Sequence, residues 1–396
     1  MGDFEVDAVR KQFPALSEGA AHFDGPGGSQ TPQVVADAVA QTMVSALANR
    51  GPLTAAERRA DGIVVGARRA MADLLGTDPG GIVFGRSMTQ LTYDFSRTLA
   101  KRWGPGDEVI VTRLDHDANI RPWVQAAEAV GATVRWLAFD PATSELDDIR
   151  PLLSSQTRLV AVTGASNLIG TRPDLEGIAS LVHRAGALLY VDGVHLTPHA
   201  PVDAAFADFY ACSPYKFFGP HCGVLSAAPE LLAGLHPDKL LPATDVVPER
   251  FEFGTLPYEL LAGTTAAVEF LAGLGGTGET RRERLLGSLE LLESYEDGLR
   301  DELETRLAAI DGITLHGRAQ RRTPTLLFSV AGWEPRAVAA KLAEAGVNAP
   351  AGSFYALEAS RHLGLGDTGA VRAGLSPYTD RSDVDRLVEA VEGLGP

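Results

Sequence analysis

The stretch Leu188-Leu189-Tyr190-Val191-Asp192-Gly193-Val194-His195, followed further on by Ala211-Cys212-Ser213-Pro214-Tyr215-Lys216-Phe217-Phe218-Gly219-Pro220, decides the reading of this chain. An apolar β run ends on a carboxylate, and a second short run ends on Ser-x-x-Lys beside Gly-Pro. That pattern places Asp192 and Lys216 at the tips of neighbouring strands. Taken singly, each residue suits a plainer role: Asp192 as the cap of a turn after a buried strand, Lys216 as an exposed loop lysine.

Taken together they suit pyridoxal 5'-phosphate. This cofactor needs a lysine amine to hold its aldehyde as a Schiff base and an acid to keep its pyridine nitrogen protonated. Val191 to His195 and Ser213 to Leu225, preceded by Ser166-Asn167-Leu168-Ile169-Gly170, resemble the class V aminotransferase and cysteine desulfurase group of fold-type I enzymes. The resemblance runs from Phe23-Asp24 to Arg372 and is strongest to the cysteine-desulfurase-like and isopenicillin-N-epimerase-like branches. It implies an α/β fold, with a large domain built on a mostly parallel sheet flanked by helices and a smaller α+β C-terminal domain. The corresponding division is an N-terminal segment 1–22 packing with the small domain, a cofactor-binding domain 23–272 and a small domain 273–396.

Bulk composition agrees with such an enzyme. A chain of 396 residues exceeds the roughly 250 to 300 residues beyond which single cores stop growing. With 45% hydrophobic and 22% charged residues it is ordinary for a globular protein. A net charge of -16 argues against a general nucleic-acid surface, which needs excess Lys and Arg. The two cysteines, Cys212 and Cys222, are too few for a disulfide framework and lack metal-ligand spacing, so buried free thiols are expected and no metal. The acidic N-terminus lacks a signal-peptide core, no run approaches the ~18 residues of a membrane span, and Val6 weakens the Met1-Gly2 start as a lipidation signal. A cytoplasmic enzyme with a small-molecule partner is the expectation.

Taken in order, Phe23-Asp24-Gly25-Pro26-Gly27-Gly28-Ser29 is a glycine-rich turn that permits close backbone approach; by resemblance Gly27 lies beside the substrate. Helical spacing covers Pro32 to Ala48 and Ala55 to Leu75. A strand at Gly81 to Phe84 leads through Gly85 to Gln90 into a helix from Leu91. A strand, a polar turn and a helix start make an anion site, matching the family's phosphate loop at Ser87, Met88 and Thr89, with Met88 able to bind only through its backbone. A plain N-cap at Ser87 or Thr89 is the alternative. After the strand Asp107 to Thr112, Asp115-His116-Asp117-Ala118-Asn119 with Pro122-Trp123 resembles the segment whose histidine stacks on the cofactor. His116 takes that role. Strands at Val134 to Phe139 and Arg158 to Thr163 follow, with a helix from Asp174 to Ala185. By resemblance Asn167 meets the pyridoxal hydroxyl or the substrate, His195 replaces a glutamine that contacts the pyridoxal oxygen, and Ser213 and Tyr215 offer hydroxyls to the phosphate.

Gly254-Thr255, within Arg250 to Thr255, resembles the pair that reaches the phosphate of a neighbouring subunit, which implies a homodimer with shared sites. Gly273 to Gly278 fits G-x-G-x-x-G but follows a helix rather than a strand, so it reads as a helix stop and linker. A long helix from Thr280 to Ile310, strands at Ile313 to His316 and Thr325 to Val330, a helix from Pro335 to Ala345 and a closing helix from Asp380 complete the chain. Arg372 sits where the family holds the substrate α-carboxylate, a task the planar guanidinium suits.

The departure that narrows the chemistry is at Gly352-Ser353-Phe354-Tyr355-Ala356, where desulfurases carry Gly-His-His-Cys-Ala. Tyr355 stands in place of the thiol, and a phenol has no route to a persulfide. The expectation is a lyase breaking a carbon-sulfur or other β bond, with Lys216 as base and Tyr355 as acid to the leaving group. Transamination or epimerisation is the enzymatic alternative, and a scaffold that retains the pyridoxal fold is the non-enzymatic one.

Overall fold

The computed structural model describes residues 4–395; the Met1-Gly2 start lies outside them. Chain order is α1 (Val6–Arg10), β1 (Ala21–His22), α2 (Gln33–Met43), α3 (Ala55–Leu75), β2 (Ile82–Gly85), α4 (Met88–Ala100), β3 (Glu108–Thr112), α5 (Arg121–Val130), β4 (Thr133–Leu137), β5 (Thr157–Thr163), α6 (Leu175–Arg184), β6 (Leu188–Asp192), β7 (Phe209–Cys212), β8 (Gly223–Ala227), α7 (Pro229–Ala233) and α8 (Tyr258–Ala272). Then come α9 (Arg281–Ala308), β9 (Ile313–His316), β10 (Thr325–Val330), α10 (Pro335–Glu344), β11 (Val347–Asn348), β12 (Ala351–Gly352), α11 (Leu357–His362), β13 (Ala370–Gly374) and α12 (Arg381–Glu392).

Seven strands form one sheet in the order β2-β8-β7-β6-β5-β3-β4. From β7 to β4 every pairing is parallel, and β8 runs antiparallel to both neighbours. Such a sheet needs apolar cover on both faces. Strand β6 shows the consequence: Leu189 and Val191 face one core, with Val64, Val160, Val182 and Ala267 among its members, while Tyr190 faces the other with Trp123, Phe209 and Leu225. A second, antiparallel sheet, β12-β13-β10-β9, packs on α9, α10 and α12.

Several helix ends follow from local chemistry. Thr54 and Glu57 form a capping box at the start of α3, and Gly76 ends it in the left-handed conformation at φ 70°. Helix α4 begins at Met88, earlier than the expected Leu91, because the Ser87 hydroxyl accepts from the Gln90 amide at 3.1 Å. Helix α2 stops at Met43, short of Ala48. Met43 and Val44 are 68% and 87% exposed, so the apolar spacing there has nothing to pack against.

The N-terminal segment is tied to the last third of the chain. Strand β1 pairs in parallel with β11, Phe4 stacks on Tyr295 of α9, and Arg10 meets Asp380 and Asp383 at 3.0 and 2.6 Å. The Phe23 carbonyl accepts from the Gly374 amide at 2.9 Å, which carries the glycine turn onto the end of β13. Among the described residues no helix is long and apolar enough to cross a membrane.

Candidate active site

Open α/β sheets bind ligands beyond the carboxyl ends of their parallel strands, and this sheet gathers its polar side chains there. A cavity of about 650 Å³ is lined by Pro26, Gly27, Met88, Thr89, His116, Asn167, Asp192, His195, Ser213, Tyr215, Lys216, Phe354, Tyr355 and Arg372, among others. His116 follows β3, Asn167 follows β5, Asp192 ends β6, and Lys216 follows β7. Arg372 arrives from β13 of the second sheet, so the cavity lies where the two sheets meet.

Asp192 is buried. Its Oδ1 accepts from the Val194 amide at 3.0 Å, and burial pushes its carboxyl up to about 6. The Lys216 amine donates to the Pro26 carbonyl and lies 4.8 Å from the centroid of the Tyr215 ring. Burial and, after it, the Arg372 charge lower that amine to about 7, against the pull of Asp192. His116 accepts from the Ala118 amide at Nδ1, 3.0 Å away, and its ring stacks on Tyr355 at 5.4 Å. Burial, then Lys216 and Arg372, hold it down at about 4, so the ring is neutral near pH 7.

Asn167 and Arg372 are interlocked. The Asn167 carbonyl accepts from Arg372 Nη1 at 2.8 Å, and Asn167 Nδ2 donates to the Phe354 carbonyl at 2.9 Å. Asn167 Oδ1 and Arg372 Nε are buried with no hydrogen-bond partner. Buried polar atoms are rarely left so, and both belong to residues on the cavity wall. His195 directs Nε2 at the Thr325 and Thr323 hydroxyls, 2.9 and 3.1 Å away. Burial and the nearby His199, Arg372 and Lys216 hold its pKa well below the usual histidine value. It therefore acts as a neutral hydrogen-bonding group, without the proton exchange near neutrality that imidazole usually allows.

Three expected residues lie elsewhere. Ser87 is the N-cap of α4 and does not line the cavity, although Met88 and Thr89 of the same turn do. Gly254 and Thr255 are exposed and line a separate groove of about 340 Å³ with Phe84, Arg86 and His221. Glu252, two residues before Gly254, is anchored by Arg68 at 2.7 Å, and the expectation for the Gly254-Thr255 pair concerned a neighbouring subunit's phosphate rather than the cavity of its own chain.

Two features escaped the sequence. Asp115 is fully buried, accepting from the Thr112 hydroxyl and from Asn119 Nδ2 at 2.7 Å, while Trp123 Nε1 donates to Asn119 Oδ1 at 3.0 Å. This network fixes the turn that presents His116. Burial, with the Asp192 charge adding to it, pushes Asp115 up to about 8. The second feature is the backbone at Phe354 and Tyr355, both left-handed at φ 52° and 59°. The carbonyls of this turn accept from Asn167 Nδ2 and from the Asp117 amide at 2.7 Å. The acid-His-x-Ala-Asn pattern was visible as a motif; which member anchors the turn depends on burial.

Residues 21–387 match the family model described as aminotransferase class-V. The chain belongs to that family. An uncharacterised protein of Mycobacterium tuberculosis is 35% identical, with 99% of this chain and 100% of that one covered. An aminotransferase-like protein of Gibberella zeae is 32% identical, with 98% of each chain covered. The crystal structure of the cysteine desulfurase CsdA from Escherichia coli superposes with a TM-score of 0.87 at 31% identity, covering 99% of this chain and 98% of that one. Class V aminotransferases and the related cysteine desulfurases depend on pyridoxal 5'-phosphate. The cavity fits that group: it offers a buried carboxylate, an amine of lowered pKa, a neutral imidazole face, hydroxyls, the first turn of α4 for an anion, and two unpartnered polar atoms. Among the described residues no cluster of His, Cys, Asp or Glu is arranged to hold a metal.

Proposed function

We propose that this enzyme removes a β-substituent, a sulfur-linked group in the first instance, from an amino acid. The observation that carries the reading is the state of the thiols. Cys212 and Cys222, the two cysteines of the sequence, are buried, and burial pushes Cys222 up to about 11 and Cys212 higher still. Neither lines the cavity, and the position that faces its mouth holds the phenol of Tyr355. A thiolate able to accept sulfur has no place at this site, whereas an amine at about 7 beside the cavity suits proton abstraction near neutral pH.

Pyridoxal phosphate would be held by Lys216 until the substrate amine displaces it, with Asp192 facing its ring nitrogen, and would supply the electron sink that acidifies the substrate α-carbon. Arg372 binds the substrate carboxylate through the guanidinium edge that contains the unpartnered Nε. Lys216 Nζ, freed when the substrate amine takes its place, accepts the α-proton. His116 covers the cofactor face, and Asn167, His195, Ser213, Tyr215, Met88 and Thr89 orient cofactor and substrate, with Gly27 leaving room for the substrate. Tyr355, 74% exposed at the mouth, donates the phenolic proton to the departing sulfur. Gly254-Thr255, exposed beside Phe253, reach the phosphate of a second copy, making the working unit a homodimer; the division into residues 1–22, 23–272 and 273–396 belongs to the same proposal.

Incubating the cofactor-loaded protein with amino acids and cysteine S-conjugates tests the reading. Pyruvate with a released thiol supports it. Ring-amine accumulation would replace it with transamination, and deuterium uptake with inversion would replace it with epimerisation. A protein that stays colourless after added cofactor would make it a scaffold, whereas the lysine-bound reading expects a visible band that Lys216→Ala abolishes.

A further inference from the structure

Phe354 lies in the short turn between β12 and α11, and its backbone is held in a conformation that side chains other than glycine seldom adopt. Such outliers persist only where their surroundings over-determine them. Here two hydrogen bonds do so: Asn167 Nδ2 to the Phe354 carbonyl at 2.9 Å and the Asp117 amide to the Tyr355 carbonyl at 2.7 Å. The result is a ring laid over a cation, with the Arg372 guanidinium carbon 3.7 Å from the Phe354 centroid.

The other contacts of Arg372 show what this arrangement leaves open. Nη1 is taken by the Asn167 carbonyl at 2.8 Å. One face is covered by Phe354. Nε is buried without a partner, and the side towards Nη2 is faced by Gly27, where even an added Cβ would stand 3.8 Å away. A guanidinium held at Nη1 and covered on one face keeps Nε and Nη2 side by side without a partner bond, and that edge matches a carboxylate. Asn167 closes the ring of contacts, since it grips both Arg372 and the turn that carries Phe354.

We propose that Phe354 is a positioning residue that sets the plane of Arg372, so that its Nε and Nη2 edge meets the α-carboxylate of an amino-acid substrate. The inference rests on the carboxylate-binding role given to Arg372 above. A substrate lacking the carboxylate gains nothing from Phe354, whereas one bearing it is bound more tightly and in one orientation.

The test compares equilibrium binding of L-alanine and of ethylamine, its counterpart without the carboxylate, to the cofactor-loaded protein by visible absorbance. The wild type prefers L-alanine. Phe354→Ala lowers that preference about tenfold, the scale of one desolvated cation-ring contact, with ethylamine affinity unchanged, and Phe354→Tyr restores it. Phe354→Leu, which keeps apolar volume in the turn, shifts the preference in the same direction and serves if the alanine variant does not fold. An unchanged preference in the Phe354 variants, or equal weakening of both ligands, overturns the inference while leaving the role of Arg372 intact, provided Arg372→Ala abolishes the preference. A preference that survives Arg372→Ala, or a wild type without one, overturns the carboxylate-binding role and the inference with it.

Discussion

Replacing Asp115 with asparagine isolates a protonation that the fold imposes. The carboxyl is fully buried, and burial together with the Asp192 charge moves it from an ordinary 3.8 to about 8. Between those values the folded chain holds a proton that the unfolded chain releases, so this group's contribution to stability falls as pH rises and is fullest below 3.8. At about 1.4 kcal/mol for each unit of pH, raising the pH from about 5 to about 7.5 removes ~3 kcal/mol through Asp115 alone. Asparagine preserves the shape and an acceptor for Asn119 Nδ2, but it does not titrate. Urea unfolding of the cofactor-free wild type and Asp115→Asn proteins should therefore show a stability difference that shifts in favour of the variant by ~3 kcal/mol across that range. Using the difference cancels the titrating groups that do not interact with Asp115, among them His116, whose depressed pKa gives the opposite slope. A difference that stays constant with pH would show Asp115 ionised in the folded state and refute the reasoning.

Turnover on a β-substituted amino acid should rise with pH through about 7 as Lys216 Nζ loses its proton; a rate that falls over the same range excludes that amine as the base. The Cys212→Ala and Cys222→Ala double variant should keep its turnover within about twofold, because both thiols lie outside the cavity. Loss of activity in a folded double variant would return the chemistry to sulfur. Tyr355→Phe retains the ring stacked on His116 but removes the proton, so turnover should fall by about 10²-fold with poorly departing thiols and less with good ones. Equal rates across leaving groups would leave Tyr355 with a packing role only.

The fold was legible where local signals agreed with tertiary need. Strands β9 and β10 begin and end where the pattern places them, and α3 is bounded by a capping box and a glycine that the sequence displays. Where α4 begins and α2 ends, the deciding facts were a single hydroxyl cap and an absence of packing, and neither produces periodicity. At the site, Lys216, Asp192, His116, Asn167 and Arg372 converge on one cavity although they come from far along the chain. Family motifs made that convergence readable. Asp115 and the Phe354-Tyr355 turn were not readable in the same way, because their character comes from the assembled fold: complete burial for one, the side-chain amide of Asn167 for the other.

The parallel pairing of β1 with β11 has a consequence for synthesis. Ala21 aligns with Val347 and His22 with Asn348, and this seam seats the turn bearing Pro26 and Gly27 against the strand that carries Arg372. A ribosome must release nearly the whole polypeptide before that wall can be erected. Nascent chains of intermediate length, even those already displaying Lys216, should remain unable to retain the cofactor until the final strands emerge from the exit tunnel.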